Sequence, residues 1–222
     1  MFCVPVLAKN TEEVLEMMTE AAPMADIMEV RLDLMESFEL GTIIRAAAKP
    51  LLVTYRSDRE GGRGKIDPDA VAGSLITALQ EGAELIDVEL SMERKYRERI
   101  FNFRGKSRII VSTHINDCTP SRQALEKIFE ESVSAGGDIV KIVTMAQRWD
   151  DNFRVLELIP EARDKGIDII AFCMGPLGRI SRIFSLLMGA HMTFVSLEKG
   201  LESASGQIPI TEMKRILEFF TP

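Results

Sequence analysis

Short aliphatic and β-branched runs alternate with amphipathic stretches from one end of this chain to the other. Residues 2–7, 26–31, 51–56, 85–90, 108–114, 138–143, 167–172 and 192–196 have the length and composition of buried strands. Between them, "TEEVLEMMTEAA", "PDAVAGSLITALQEG" and "SRQALEKIFEESVSAGG" carry the helical spacing of apolar residues, and "PITEMKRILEFF" ends the chain. Thr11, with Glu13 close behind, marks a helix start, and Gly136 with Gly137 a helix stop. Eight strand–helix units of about 28 residues each predict an α/β fold, a (β/α)8 TIM barrel. No linker or low-complexity tract interrupts the rhythm, so residues 1–222 read as one domain. A doubly wound open sheet would also alternate, but GxGxxG is absent after the first strand, which runs into "LAKNTEEV".

The polar residues inside these strands are the anomaly. Strand side chains alternate between two faces. Glu29 and Arg31 share one face, as do Thr54 and Arg56, Asp87 and Glu89, and Ser112 and His114. Each pair falls at the carboxyl end of its strand, where the mouth of a barrel gathers catalytic groups. Lys141 is enclosed by aliphatic residues in "IVKIV". Pointing inward near Arg31 or Arg56, it would lose basicity and become a nucleophile towards a ketone or aldehyde. Paired with Asp87 or Glu89 it would be a structural ion pair, and both readings stand. His114 ends the preceding strand and is placed for proton transfer beside such a lysine. His191, the other histidine, starts the last strand and belongs to the opposite rim.

Composition narrows the partners. A net charge of −7 and a pI near 5.1 argue against nucleic acid or an anionic membrane. No apolar run reaches membrane-spanning length and the start lacks a signal-peptide pattern. Cys3, Cys118 and Cys173 are odd in number and show no zinc spacing, which fits a reducing cytoplasm. The loop "SDREGGRGK" suggests close approach of backbone to a ligand, but Lys65 is followed by Ile66 and so fails the Walker pattern. "KGLESASGQIP" is small and polar and suits a lid.

In chain order, "EVRLD" from Glu29, "TYRSDREGG" from Thr54, "DVEL" from Asp87, "VSTH" from Val111, "VKIV" from Val140, "MGPLGRISR" from Met174 and "SASGQ" from Ser203 resemble the type I 3-dehydroquinate dehydratases over nearly the whole chain. The resemblance implies a dimeric barrel with neither metal nor organic cofactor. It implies conversion of 3-dehydroquinate to 3-dehydroshikimate and water, on the route to chorismate. By position, Lys141 corresponds to the imine-forming lysine, His114 to the proton carrier and Glu60 to the carboxylate supporting it. Glu29, Arg31, Arg56, Arg182, Ser203 and Gln207 correspond to substrate-binding positions, with Arg182 on the substrate carboxylate. Asn116 stands where the family commonly has an aromatic, and Ser205 where it has a proline. A class I aldolase acting on a sugar phosphate shares the lysine, and a silent anion-binding barrel would use it as an ion pair.

Overall fold

The computed structural model describes residues 1–64 and 67–220; Lys65, Ile66, Thr221 and Pro222 lie outside the described residues. Strands β1 (Phe2–Val6), β2 (Ile27–Arg31), β3 (Leu51–Thr54), β4 (Leu85–Glu89), β5 (Arg108–Ile115), β6 (Ile139–Met145), β7 (Asp168–Met174) and β8 (Thr193–Phe194) occur where the sequence predicts them. Helices α1 (Thr11–Ala21), α2 (Leu40–Ala46), α3 (Pro68–Gln80), α4 (Arg94–Phe101), α5 (Arg122–Ser134), α6 (Asp151–Leu156), α7 (Leu158–Asp164), α8 (Arg179–Leu187) and α9 (Ile210–Glu218) fill the gaps. All strand pairs are parallel, in the order β7-β6-β5-β4-β3-β2-β1-β8. The order never reverses as it would in a doubly wound sheet, and β8 returns to β1. On the remaining side, His191 N–H donates to Ile169 O at 2.8 Å, and the Phe172 and Phe194 rings pack 6.1 Å apart. The ring of strands is a nearly closed barrel.

Strand periodicity then sorts every side chain. Outward positions such as Val4, Met28, Val53, Ile86, Val111, Val140 and Ile169 pack under the helices. Inward positions begin with one apolar residue per strand: Cys3, Ile27, Leu52, Leu85, Ile110, Ile139, Ile170 and Met192 form a dry plug. Two residues further along the same faces come Glu29, Thr54, Asp87, Ser112 and Lys141, opposite Phe172 and Phe194. The barrel is therefore apolar below and ionised above, and both layers are out of water.

Local details refine the predicted boundaries. Helix α1 is capped by Asn10, not Thr11: its side-chain oxygen accepts from Glu13 N–H at 3.0 Å, and Glu13 reaches back to Lys9 N–H. An amide is at least as good a cap as a hydroxyl, so the signal lay one residue earlier than expected. Of the glycines after β3, Gly62 and Gly64 serve the protein's own packing, while Gly61 lines the cavity at the barrel mouth. A Cβ at Gly62 would stand 2.1 Å from Arg56 O, so this loop folds tightly back on the end of β3. His191 sits on the far rim with Arg108 and Asp168, as expected.

Candidate active site

The site begins with a carboxylate. Asp87 on β4 takes the Lys141 ammonium at 3.0 Å, Arg56 Nη2 at 2.7 Å and the Ser112 hydroxyl at 2.5 Å. Burial alone would raise its pKa, but Arg56 and Lys141 outweigh it and hold Asp87 well below the usual carboxylate range. Lys141 also lies over the Phe194 ring, 4.2 Å from its centre. The lysine thus points inward and is buried, with an acid as its nearest charged neighbour. The ion pair that the sequence left open is present in this structure.

Arg56 is the hub of the acidic side. Besides Asp87 it meets Glu89 at 3.1 Å, Ser112 at 2.9 Å and Glu60 at 3.4 Å. Burial opposes its charge, but Asp87 and Glu89 more than restore it, and its pKa is raised. A guanidinium with that many partners is a structural cation first, although one edge of it still lines the cavity.

Glu60 receives both the His114 backbone N–H at 3.0 Å and the imidazole Nδ1 at 3.1 Å. Burial first, then the charge of Glu89, pushes the Glu60 carboxyl up to about 7 despite Arg56. Burial, followed by Arg56 and Lys141, pushes His114 well below its usual value, so the imidazole is neutral at neutral pH. With Nδ1 turned to Glu60, Nε2 is the nitrogen left to face the cavity.

Arg31 is fixed by Asp33 through two bonds of 2.7 and 2.8 Å. Asp33 also accepts the Arg56 and Arg63 backbone N–H groups, each at 3.1 Å, which ties the loop after β3 to β2. Glu29 accepts from Thr54 at 2.8 Å.

Arg182 on α8 is different. It is 1% exposed, and its partners are backbone carbonyls: Phe194 O at 3.3 Å and Ser205 O at 3.4 Å. Its Nε has no partner, and its guanidinium stacks 4.4 Å above Phe172. No carboxylate of the described residues pairs with it, and burial pulls its pKa down to about 9. A buried cation lining a cavity without a carboxylate partner carries a desolvation cost that nothing in the described residues offsets in full.

The predicted lid folds over this cation. Gln207 bonds Ser203 through both ends of its amide, at 2.7 and 2.8 Å. Gly175 N–H donates to Ser205 O at 3.1 Å. Gly206 has φ +84°, and a Cβ there would fall 2.3 Å from Gly175 O, so only glycine seats this turn. Asn116 packs against Gly61 on the opposite lip.

A cavity of about 80 Å³ joins these pieces, and Lys141, His114, Glu60, Arg182, Glu29 and Gln207 all open onto it. Arg31, Arg56 and Ser203 complete its wall, so every residue singled out from the sequence is brought together. Asp87, Glu89 and Ser112 stand at the barrel mouth where the sequence placed them, with Asp87 or Glu89 offered as the partner of Lys141; Asp33, the acid two residues beyond Arg31, was given no role in advance.

A barrel whose mouth carries a buried amine, an imidazole–carboxylate pair and an unpaired guanidinium is an enzyme of the β/α-barrel class. The chain belongs to the type I 3-dehydroquinase family, whose description matches residues 2–221, and it is a carbon–oxygen lyase of the hydro-lyase kind. It is 36% identical over 222 residues to the 3-dehydroquinate dehydratase of Methanococcus vannielii, covering 98% of each chain. It is 37% identical over 218 residues to that of Thermococcus gammatolerans, covering 96% of this chain and 95% of the relative. Among solved structures, the type I 3-dehydroquinate dehydratase of Clostridium difficile with covalent modified comenic acid matches with a TM-score of 0.86 and 28% identity. That match covers 99% of this chain and 91% of the other. No helix of the described residues is long and apolar enough to cross a membrane.

Proposed function

We propose that this protein dehydrates 3-dehydroquinate to 3-dehydroshikimate through an imine on Lys141, with His114 moving the protons. The observation that carries the reading is that Lys141 and the His114–Glu60 pair open onto the same cavity as the buried cation Arg182. The substrate carboxylate would lie on Arg182, which a planar guanidinium can hold through two bonds. Its C3 ketone would then face Lys141. The covalently modified comenic acid of the Clostridium difficile relative supports a site of this shape reacting with an anionic carbonyl compound.

The Lys141 ammonium passes a proton to neutral His114, and the free amine adds to C3. The imidazolium returns the proton to the carbinolamine hydroxyl, which leaves as water. An ammonium and a ketone have then become an iminium and water, with no net proton. Asp87, 3.0 Å from Nζ, stays beside the nitrogen through every charged stage. The iminium acidifies C2, and His114 removes one C2 proton to give an enamine. The C1 hydroxyl leaves with that proton as water, on the same face. Hydrolysis of the conjugated iminium frees the product and restores the ammonium. Neither a metal nor an organic cofactor enters these steps. By the same reasoning the barrel works as a cytoplasmic homodimer on the route to chorismate.

Borohydride reduction with 3-dehydroquinate, followed by intact mass and peptide mapping, tests the proposal. The expected result is one adduct on Lys141. Lys141→Ala abolishes it, and His114→Ala keeps it while turnover falls about 10²- to 10⁴-fold. An unchanged wild-type mass refutes the mechanism.

A further inference from the structure

Glu60 has a second face that the chemistry in the mouth leaves unused. Its Oε2 holds His114, but its Oε1 is bonded at 2.6 Å by the hydroxyl of Ser91, in the turn after β4. Ser91 is exposed, and it lines a groove of about 550 Å³ with Tyr55, Asp58, Arg59 and Glu93. No residue lining that groove lines the mouth. One buried carboxylate therefore touches the catalytic imidazole on one side and a surface hydroxyl on the other.

We propose that His114, Glu60 and Ser91 form a proton path to water through this groove, open while substrate fills the mouth. It rests on the reading of His114 as the proton carrier. The step balances as a relay. With a proton on Glu60 Oε1, the imidazolium gives its Nδ1 proton to Oε2, Oε1 gives its own to Ser91 Oγ, and Ser91 gives its own to water. Imidazole is left neutral, water gains one proton, and the carboxyl and the hydroxyl keep their counts; run backwards from water, the same relay restores the imidazolium that protonates the departing C1 hydroxyl, so the cycle stays proton-neutral. The groups facing Glu60 are Arg56 from its own segment, Asp87 and Glu89 from β4, His114 from β5, and Ser91. Their balance holds the carboxyl near neutrality, where both forms needed by a relay are populated. The route also explains why Glu60 spends one oxygen on a surface serine when Arg56 could have taken both.

The test uses the whole enzyme and two variants, Ser91→Ala and Ser91→Thr. In the borohydride-reduced adduct, whose mouth is occupied, exchange of the His114 ring N–H with solvent is followed by nitrogen-edited NMR. Ser91→Ala should slow exchange by about 10²-fold, the low end of what a positioned proton-transfer group contributes, and Ser91→Thr should restore it. The second readout is the pH dependence of kcat. Without the serine donor the protonated carboxyl is favoured, so the limb set by Glu60 moves up by about half a unit to one unit. Ser91→Thr should return the limb to its place. Unchanged exchange or an unmoved limb in Ser91→Ala overturns the path. Failure of the adduct to form is read separately, by mass, and sinks the imine reading; the pH limb still tests Ser91.

Discussion

Replacing Arg182 by methionine should make the free protein more stable and the enzyme worse. Arg182 is buried to 1% exposure, is solvated only by two carbonyls at 3.3 and 3.4 Å and one aromatic face, and has its pKa lowered by burial to about 9. A fall of that size corresponds to a cost of roughly 5 kcal/mol for keeping the charge in the folded state. Methionine removes the cost but strands the Phe194 carbonyl and takes one of two donors from Ser205 O, which keeps the Gly175 N–H, at about 1–2 kcal/mol together, so a net gain of about 3 kcal/mol is expected. In a domain of this size that is a rise in Tm of roughly 6–12 °C. Urea unfolding of both proteins at pH 7 without ligand reads it directly. The penalty is full below about pH 9 and fades as pH rises above it, because there the unfolded chain binds the proton that the native one has lost. Turnover assays should show KM raised by about 10²-fold or more, the loss of a charge-assisted contact to a carboxylate. A variant no more stable than wild type, or one with an unaltered KM, would refute the argument that this cation is stored for an anion.

Glu60→Gln tests the acid side. The Glu60 pKa rises from 4.5 to about 7 on folding, so the native state holds a proton that the unfolded chain releases between those values. Wild-type stability relative to Glu60→Gln should therefore fall through that window, by up to roughly 3 kcal/mol, and then level off; a constant gap across pH in urea titrations contradicts it. Asp33→Ala frees Arg31 and two backbone N–H groups at once, so a loss of about 3 kcal/mol by denaturation is expected, together with a raised KM. Gly206→Ala puts a Cβ against Gly175 O at a left-handed φ, and should raise KM and cost about 1–3 kcal/mol in urea unfolding.

The barrel and most of its mouth were legible in the sequence because the two-residue period of a strand fixes which side chains share a face. Given eight strands in order, Glu29, Asp87, Ser112 and Lys141 had nowhere to point but inward, above the plug made by Ile27, Leu85, Ile110 and Ile139. Which charges meet was legible only in part: the sequence offered Asp87 or Glu89 to Lys141, but not the set of partners that Arg56 takes. Lys141 reaches across β5 to Asp87, and Arg56 reaches Asp87, Glu89 and Ser112 from beyond the end of β3. Long side chains at the top of a twisted ring choose partners by distances of a few ångströms that no spacing encodes. The short β8 is a similar case. Residues 192–196 have strand composition, but only Thr193 and Phe194 pair in register with β1; the ladder ends at the Val195 N–H bond to Cys3 O, and Ser196 N–H turns to Ile208 O.

That closing strand has a consequence for the protein's birth. The ring is sealed by joining its final strand to its first, and Arg182 and the 203–207 turn lie on the same late stretch of chain. A nascent polypeptide made as far as β6 carries Glu60, His114 and Lys141 but lacks Phe172, Arg182 and Phe194, which complete the wall of the cavity. The surroundings of Lys141 are therefore finished only when the last strand has been made and joined to the first.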